Sequence, residues 1–206
     1  METIETYIEN LDEYSKMLLR LREEKSSLKI KNDSLDHAKI LVTNLFAHAK
    51  NEILIYTSSL CSLFYLSEEL KASYEEIKNK DISIKILIQY KFTKEEDKKI
   101  GQHASKEKME ELFGDKIEIK FLEDTSDKNK ITYNFENDLI VINNFTVVDG
   151  ISFRYERQET EKGFCGQSIE QKFTKAFGCM KDEQTAKLLR EVFYENFENH
   201  HLFTDS

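Results

Sequence analysis

Several residue types are scarce or missing in this sequence. Proline and tryptophan are absent from the 206 residues, and only three cysteines occur. Without proline, helices must end at Gly, Asn or Ser. An odd number of cysteines, none of them in a Cys-x-x-Cys pair, does not indicate a disulfide framework or a zinc site. We therefore predict a reducing, cytoplasmic compartment in which Cys61 is a buried thiol.

Long apolar runs and an excess of basic residues are missing as well. No window approaches the roughly 18 apolar residues of a membrane-spanning helix, and the acidic start METIETYIENLDEYSK does not have the apolar core of a secretory signal. The formal net charge of −9 argues against non-specific wrapping of nucleic acid. Between Lys78 and Lys108, however, nine lysines stand among five acidic residues. This stretch predicts a solvated helix face, which we favour, or a nucleic-acid-binding surface.

The residues that are present indicate a globular chain with an N-terminal helical arm. Hydrophobic residues make up 39% of the sequence, with 14 Phe and 9 Tyr. Residues 2–30 carry apolar side chains at three- and four-residue steps, as in an amphipathic helix. This stripe can pack onto its own domain, which is slightly favoured, or onto a second copy. We predict an arm at 1–31 and one domain at 32–206.

Apolar periodicity predicts alternating helices and strands after residue 32. A capped helix precedes the buried strand 52–57, and a helix from Leu60 to about Ile77 separates this strand from the next one at 82–88. A charged helix at about 94–112 then leads to a strand at 116–121. Such an order calls for parallel strands joined by right-handed crossovers. Short β-runs then follow at 130–135, 139–142, 145–148 and 151–155, and two helices close the chain at about 166–177 and 182–199. The prediction is an α/β domain with a mixed, mainly parallel sheet flanked by helices.

One stretch combines a strand, a tight turn and a second, charged strand. LIVINNFTVV leads into Asp149-Gly150, and the strand that follows carries Arg154 and Glu156. Residues i and i+2 on a strand share a face, so this arginine and this glutamate point the same way. On the residues alone, the stretch predicts a hairpin with a solvated ion pair.

In its motifs and their order, the chain resembles the phospholipase D-like superfamily. The likeness lies in an Ala-x-x-Glu-Ile-x-Ile-x-Thr strand and, later, a Phe-x-Val-Val-Asp-Gly strand end, and it covers residues 35–200. The matching residues are Ala49, Glu52, Ile53, Ile55, Thr57, Phe145, Val147, Val148, Asp149 and Gly150.

This resemblance also implies that the catalytic motif is degenerate. Active members of the superfamily carry His-x-Lys-x4-Asp, in which the His is the nucleophile and the Lys stabilises phosphate charge. With Asp149 on the motif's aspartate, Ile142 stands at the histidine and Asn144 at the lysine. The chain therefore resembles degenerate, non-catalytic bacterial members, some of which are associated with phage defence or mobile elements. We expect no catalytic residue, no metal and no cofactor.

The resemblance further implies a cleft at a pseudo-twofold or dimer interface. We predict that Asn144, Asp149, Arg154 and Glu156, together with Tyr56 and Ser58 or their neighbour Thr57, line it. Arg154 can grip a phosphate or carboxylate through its fork of donors, or it can remain paired within the cleft, which is favoured. The implied partners are a second copy of the chain, a protein or a phosphate-containing ligand, and no membrane.

A metal-dependent nuclease is the alternative enzyme class. Such sites place an Asp and a Glu-x-Lys on neighbouring strands to hold Mg²⁺ and activate water. Glu118-Ile-Lys120 has this spacing on a predicted strand, and Asp81 or Asp138 could supply the second carboxylate. Because Glu-x-Lys recurs by chance in a chain that is 33% charged, we favour the binding or scaffold role.

Overall fold

A computed structural model of the chain shows eight strands and six helices in the part that it describes, which comprises residues 4–32, 34–58, 60–89, 106–113, 116–122, 131–135, 138–157 and 176–198. The helices are α1 (Ile4–Glu23), α2 (Leu35–Ala47), α3 (Ser62–Tyr65), α4 (Glu68–Lys78), α5 (Lys106–Phe113) and α6 (Glu183–Glu198). The strands are β1 (Ile30–Asn32), β2 (Glu52–Thr57), β3 (Ser83–Ile88), β4 (Ile117–Phe121), β5 (Ile131–Phe135), β6 (Asp138–Val148), β7 (Ser152–Arg157) and β8 (Ala176–Cys179).

The strands form a single mixed sheet in the order β1-β8-β7-β6-β2-β3-β4, with β5 paired to the first half of β6. This arrangement confirms the predicted α/β fold with a mixed sheet flanked by helices. The share of parallel pairing needs a correction, because only β2–β3 and β3–β4 pair in parallel among the described strands. The runs after residue 130 are antiparallel neighbours, since a two-residue gap at β5–β6 and a tight turn at β6–β7 cannot make the long crossover of a parallel pair.

Helices cover both faces of this sheet because successive strand residues point to opposite sides. Ile53 and Ile55 of β2 pack into a core with α1, α2, α4 and α5. Leu54 and Tyr56 pack on the other face, against Leu189 and Phe193 of α6 and their neighbours. A strand that is apolar on both faces therefore lies at the centre of a three-layer domain.

The N-terminal arm packs against the domain that follows it. Leu18 is fully buried and Leu21 nearly so, both in the same core as α2. After α1 the chain adds β1 to the sheet edge, where Ile30 pairs with Gly178 and Asn32 with Ala176. This packing is the first of the two arrangements that the apolar stripe predicts. The division of the chain at residue 31 stays a prediction.

Two predicted helices have different bounds in the structure. The helix predicted from Leu60 to about Ile77 is split into α3 and α4, because Ser67 caps a new helix by accepting from the backbone N–H of Leu70. The end of the helix predicted at 166–177 is the strand β8, and the rest of it lies outside the described residues. Most of the charged helix predicted at 94–112 also lies outside, with α5 as its described part.

Strand β8 depends on a glycine at the closest approach of α2. A Cβ on Gly178 would lie only 2.4 Å from Cδ2 of Leu41, far inside van der Waals contact. Ala176 and Gly178 are small on the face that meets α2, whereas Phe177 and Cys179 point to the α6 face. Small residues on one side thus let a helix lie directly on this edge of the sheet.

Two predictions about the environment of the protein meet the structure differently. Among the described residues, no helix has the length and apolarity to cross a membrane. Cys61 is buried but disulfide-bonded, so the prediction of a thiol at this position is wrong. The cytoplasmic location stays a prediction, and it loses the support that unpaired cysteines would give it.

Candidate functional site

The candidate site is a narrow polar cleft on the α2 face of the sheet, where β2, β6 and β7 carry polar side chains beneath α3. Its accessible volume is about 40 Å³. Because one buried water needs roughly 10–15 Å³ of such space, the cleft has room for about three or four waters and not for a nucleotide. The lining residues are Tyr56, Thr57, Ser58, Cys61, Phe64, Tyr65, Asn144, Phe145, Thr146, Arg154 and Glu156.

Asn144 links two strands at the centre of this cleft. Its Oδ1 accepts from Thr57 Oγ1 at 3.1 Å and from the backbone N–H of Ser58 at 2.7 Å, while its Nδ2 donates to Glu156 Oε2 at 2.6 Å. A bulge precedes it, because Ile142 lies opposite Arg157 but Asn144 lies opposite Glu156. Bulges often re-aim side chains beside functional sites. Both ends of the amide are engaged within the protein.

Arg154 and Glu156 form a buried ion pair beside this asparagine. Arg154 Nη2 donates to Glu156 Oε1 at 2.6 Å, and the two side chains are only 5% and 4% exposed. A pair this deep persists because each charge is matched, since an isolated buried charge would cost several kcal/mol. The carboxylate therefore neutralises Arg154, the cation among the described residues that line the cleft.

A second layer connects Arg154 to the N-terminal arm. Asn32 of β1, which is fully buried, accepts with one oxygen from Nε and Nη2 of Arg154 at 3.4 and 3.3 Å. Its Nδ2 donates to the hydroxyl of Tyr14 on α1 at 3.4 Å, and this ring stacks on His37 of α2 with centroids 4.1 Å apart. Polar contacts thus run from the arm to the cleft.

Tyr65 closes the cleft from α3. Burial raises its pKa to about 12, and the negative charge of Glu156 acts in the same direction. A hydrogen bond with Thr57 and the charge of Arg154 lower the pKa in part. The phenol consequently stays protonated throughout the neutral pH range, and in this form it can donate a hydrogen bond but cannot act as a base.

Asp149 lies elsewhere, so the prediction that it lines the cleft needs a correction. Its carboxylate accepts from the backbone N–H groups of Lys50, Asn51 and Glu52 at 2.9, 2.8 and 2.9 Å. These groups stand at the start of β2, whereas Asn144 contacts its end. Five extended residues separate Asp149 from Asn144, which is roughly 16 Å at 3.3 Å per residue. The aspartate holds the turn after β6 against the entrance to β2.

The structure brings five of the six predicted cleft residues together. Asn144, Arg154 and Glu156 share the cleft with Tyr56 and Ser58. The sequence pattern did not reveal Asn32 or Tyr65 as neighbours of the cluster. Asn32 lies in a three-residue strand too short to show periodicity, and Tyr65 ends the short helix α3, just before an interruption in what reads as one continuous helix.

The residues of the alternative nuclease site have structural contacts. Lys120 Nζ donates to the backbone oxygen of Phe197 at 3.0 Å and lies 4.3 Å from the centre of its ring. Glu118 lies 3.7 Å from the same lysine. Within the described ranges, no group of three or more His, Cys, Asp or Glu side chains is arranged to hold a metal ion. Lys120 therefore anchors the end of α6.

Sequence comparison finds no match, whereas structural comparison finds solved structures of similar fold. No family model matches the sequence, and no curated protein matches it. NucT from Helicobacter pylori aligns with a TM-score of 0.53 at 11% identity, over 85% of this chain and 99% of that one. Nuc from Salmonella typhimurium, a phospholipase D family member, aligns with a TM-score of 0.49 at 11% identity, over 86% and 99%.

A third solved structure, TrmBL2, is an archaeal chromatin protein described as showing a novel mode of DNA binding. It aligns with a TM-score of 0.50 at 13% identity over 96% of this chain, which spans only 65% of its length. At identities this low, the likenesses to NucT and TrmBL2 concern the fold alone. The chain has the phospholipase D-like α/β fold, as the order of its sequence motifs predicts.

Proposed function

We propose that this protein is a phospholipase D-like protein without phosphodiesterase activity, which acts as a binding, regulatory or scaffold subunit. This proposal rests on one observation, which is that the polar groups of the cleft bond one another. Arg154 and Asn144 both donate to Glu156, one to each carboxylate oxygen. The groups available to stabilise phosphate charge are thus already bound to an acid of the same chain.

The chemistry at the motif positions supports the same conclusion. A phosphoryl-transfer nucleophile needs an atom that can attack phosphorus, and the isoleucine at position 142 has none. The asparagine at 144 can donate a hydrogen bond but has no positive charge. Asp149, the one residue of the motif that remains, holds backbone amides at the far end of β2.

Partners are proposed from the fold. A superfamily member with a single motif assembles its site from two copies, so we propose a homodimer with the cleft near its axis. A protein partner or a phosphate-containing ligand suits the arginine in the cleft. The DNA-binding neighbour makes nucleic acid a further candidate, which the net charge of −9 does not favour. A role in bacterial phage defence or on a mobile element stays a prediction from the resemblance.

The test is a hydrolysis assay on the full chain. The substrates are bis(p-nitrophenyl) phosphate and DNA, each assayed with excess EDTA and separately with Mg²⁺. We expect no turnover above the buffer blank in EDTA. Turnover that Asn144→Ala abolishes and Asn44→Ala preserves would refute the proposal, because Asn44 is an asparagine on α2 that bonds only the backbone oxygen of Ile40 among its observed contacts.

Measurements on the same protein and DNA separate the alternative functions. DNA cleavage that depends on Mg²⁺ and disappears in Glu118→Ala would support the nuclease. Steeply salt-dependent DNA binding that weakens in Lys98→Glu and Lys99→Glu would support a nucleic-acid-binding role. Sedimentation velocity on the same samples gives the oligomeric state, and a monomer at all concentrations would contradict the proposed homodimer.

A further inference from the structure

We propose that the side chain of Asn32 occupies the edge of the Arg154 guanidinium that would otherwise bind an anion, and that a phosphate or carboxylate group competes with it for this position. The inference rests on the proposed non-catalytic binding role and deepens it by naming the ligand class and its control. It assigns a regulatory contact to the short strand β1. A change in the N-terminal arm then changes how strongly Arg154 binds an anion, and anion binding in turn changes the arm.

The geometry at the guanidinium carries the inference. Two donors of Arg154, Nε and Nη2, converge on the single oxygen of the Asn32 amide. These two nitrogens form the edge of the fork that binds carboxylates and phosphates. Asn32 Oδ1 therefore stands where an oxygen of an anionic ligand would stand, while Glu156 holds Nη2 from another direction.

The distances mark this contact as the replaceable one. Hydrogen bonds from a guanidinium to an anionic oxygen typically measure about 2.7–2.9 Å. The bond from Arg154 to Glu156 is shorter still, at 2.6 Å, whereas the two bonds to Asn32 measure 3.3 and 3.4 Å. A neutral, distant acceptor in this position yields more readily to an anion than the carboxylate does.

The attachment of Asn32 couples the cleft to the arm. Strand β1 contributes three residues to the sheet edge and pairs with β8 through three register positions. The Nδ2 group of Asn32 donates to Tyr14 of α1. Because linkage between two binding events is reciprocal, an anion that displaces Asn32 must loosen β1, and a partner that moves β1 must change the affinity for the anion.

The experiment measures Arg154 directly in the full chain. The Nε–H group of Arg154 gives its own signal in ¹H–¹⁵N spectra, and its exchange with water reports whether Asn32 covers it. Inorganic phosphate is titrated into the wild type and into Asn32→Ala. We expect faster Nε–H exchange in the variant and phosphate affinity higher by about tenfold, which corresponds to about 1.4 kcal/mol. Phosphate added to the wild type should also speed the amide exchange of residues 30–32.

Two further variants make the result decisive. Asn32→Asp places an anion at the fork and should slow the Nε–H exchange and suppress phosphate binding. Tyr14→Phe keeps the ring but removes the acceptor of the Asn32 Nδ2 group, so it should act in the same direction as Asn32→Ala and more weakly. This variant also serves where Asn32→Ala does not fold.

The matched control is Asn44→Ala, which removes an amide from α2 without touching Arg154 and should leave both readouts unchanged. Unchanged Nε–H exchange and unchanged phosphate affinity in Asn32→Ala would overturn the inference, as would phosphate binding to neither protein. These outcomes are independent of hydrolysis. Turnover in EDTA would refute the non-catalytic role while leaving the contact between Asn32 and Arg154 to be judged by its own signal.

Discussion

The aspartate at the end of β6 offers a direct test of whether the surviving motif residue is structural. Asp149 has a φ of +53° and accepts three backbone N–H groups through its two oxygens. Oδ1 accepts from Asn51 and Glu52, and Oδ2 accepts from Lys50. Asp149→Ala removes all three hydrogen bonds and leaves the β-carbon in left-handed backbone without the carboxylate that compensates for this conformation.

The expected loss follows from these contacts. Hydrogen bonds to a charged group contribute about 1.5–3 kcal/mol each when they are buried, and those at a solvent-accessible turn contribute less. We expect Asp149→Ala to lower the free energy of unfolding by about 3 kcal/mol, of which about 1 kcal/mol is left-handed backbone strain. Asp149→Gly avoids this strain and should cost about 2 kcal/mol. Asp149→Asn keeps one acceptor oxygen and tolerates the backbone, so it should cost about 1 kcal/mol.

Urea unfolding followed by far-ultraviolet circular dichroism measures these differences, since the chain contains no tryptophan. The order Ala, Gly, Asn should hold with unchanged m-values. A loss below about 0.5 kcal/mol in Asp149→Ala would refute the reasoning. Phosphate affinity in Asp149→Asn should equal that of the wild type, and a clear change would indicate that the aspartate lies close to the bound phosphate.

Two further predictions concern the cleft itself. Glu156→Gln should cost about 3–5 kcal/mol in urea unfolding, because it removes the negative charge that lies 2.6 Å from the buried Arg154 guanidinium. The control Glu118→Gln, at a carboxylate 41% exposed, should cost less than about 0.5 kcal/mol, and equal losses would contradict the buried-pair argument. Stability should also fall at high pH, because folding raises the pKa of Tyr65 to about 12 from an unfolded value near 10. The folded chain then binds more protons between these values, so the contribution is complete below pH about 10 and is lost as the pH rises towards about 12. Urea midpoints across this range should fall less steeply in Tyr65→Phe, and parallel curves would contradict the prediction.

The sequence predicts the central elements well because their apolar patterns are local. The strand at 52–57 is apolar on both faces and coincides with β2, and the final helix is close to α6. The predicted strands at 139–142 and 145–148 are one strand, β6, which continues through a bulge. Polar residues in the middle of a run read as a loop, whereas here Asn144 stays in the strand because Thr57, Ser58 and Glu156 bond it.

Long-range pairing explains most of what the sequence did not reveal. Strands β1 and β8 are three and four residues long, and each is stabilised by pairing with a segment about 145 residues away in sequence. The prediction that Asp149 lies in the cleft is wrong, because residues that are close in sequence along a strand need not be close in space. On an extended strand, five residues carry a side chain from one end of a neighbouring strand to the other.

The charge distribution in the cleft connects the fold with the proposed function. A catalytic site keeps a cation free for the phosphate oxygens of the transition state. In this protein the cleft cation stands at position 154, in the strand beside the motif strand, and Glu156 lies two residues away on the same face. A cation bound this closely to an acid stabilises the charge of a phosphoryl-transfer transition state only weakly. In our proposal it binds anions that can displace a neutral neighbour such as Asn32. The proposed function rests on this pair, in which Glu156 neutralises Arg154 while one edge of the guanidinium stays suited to a stable anion.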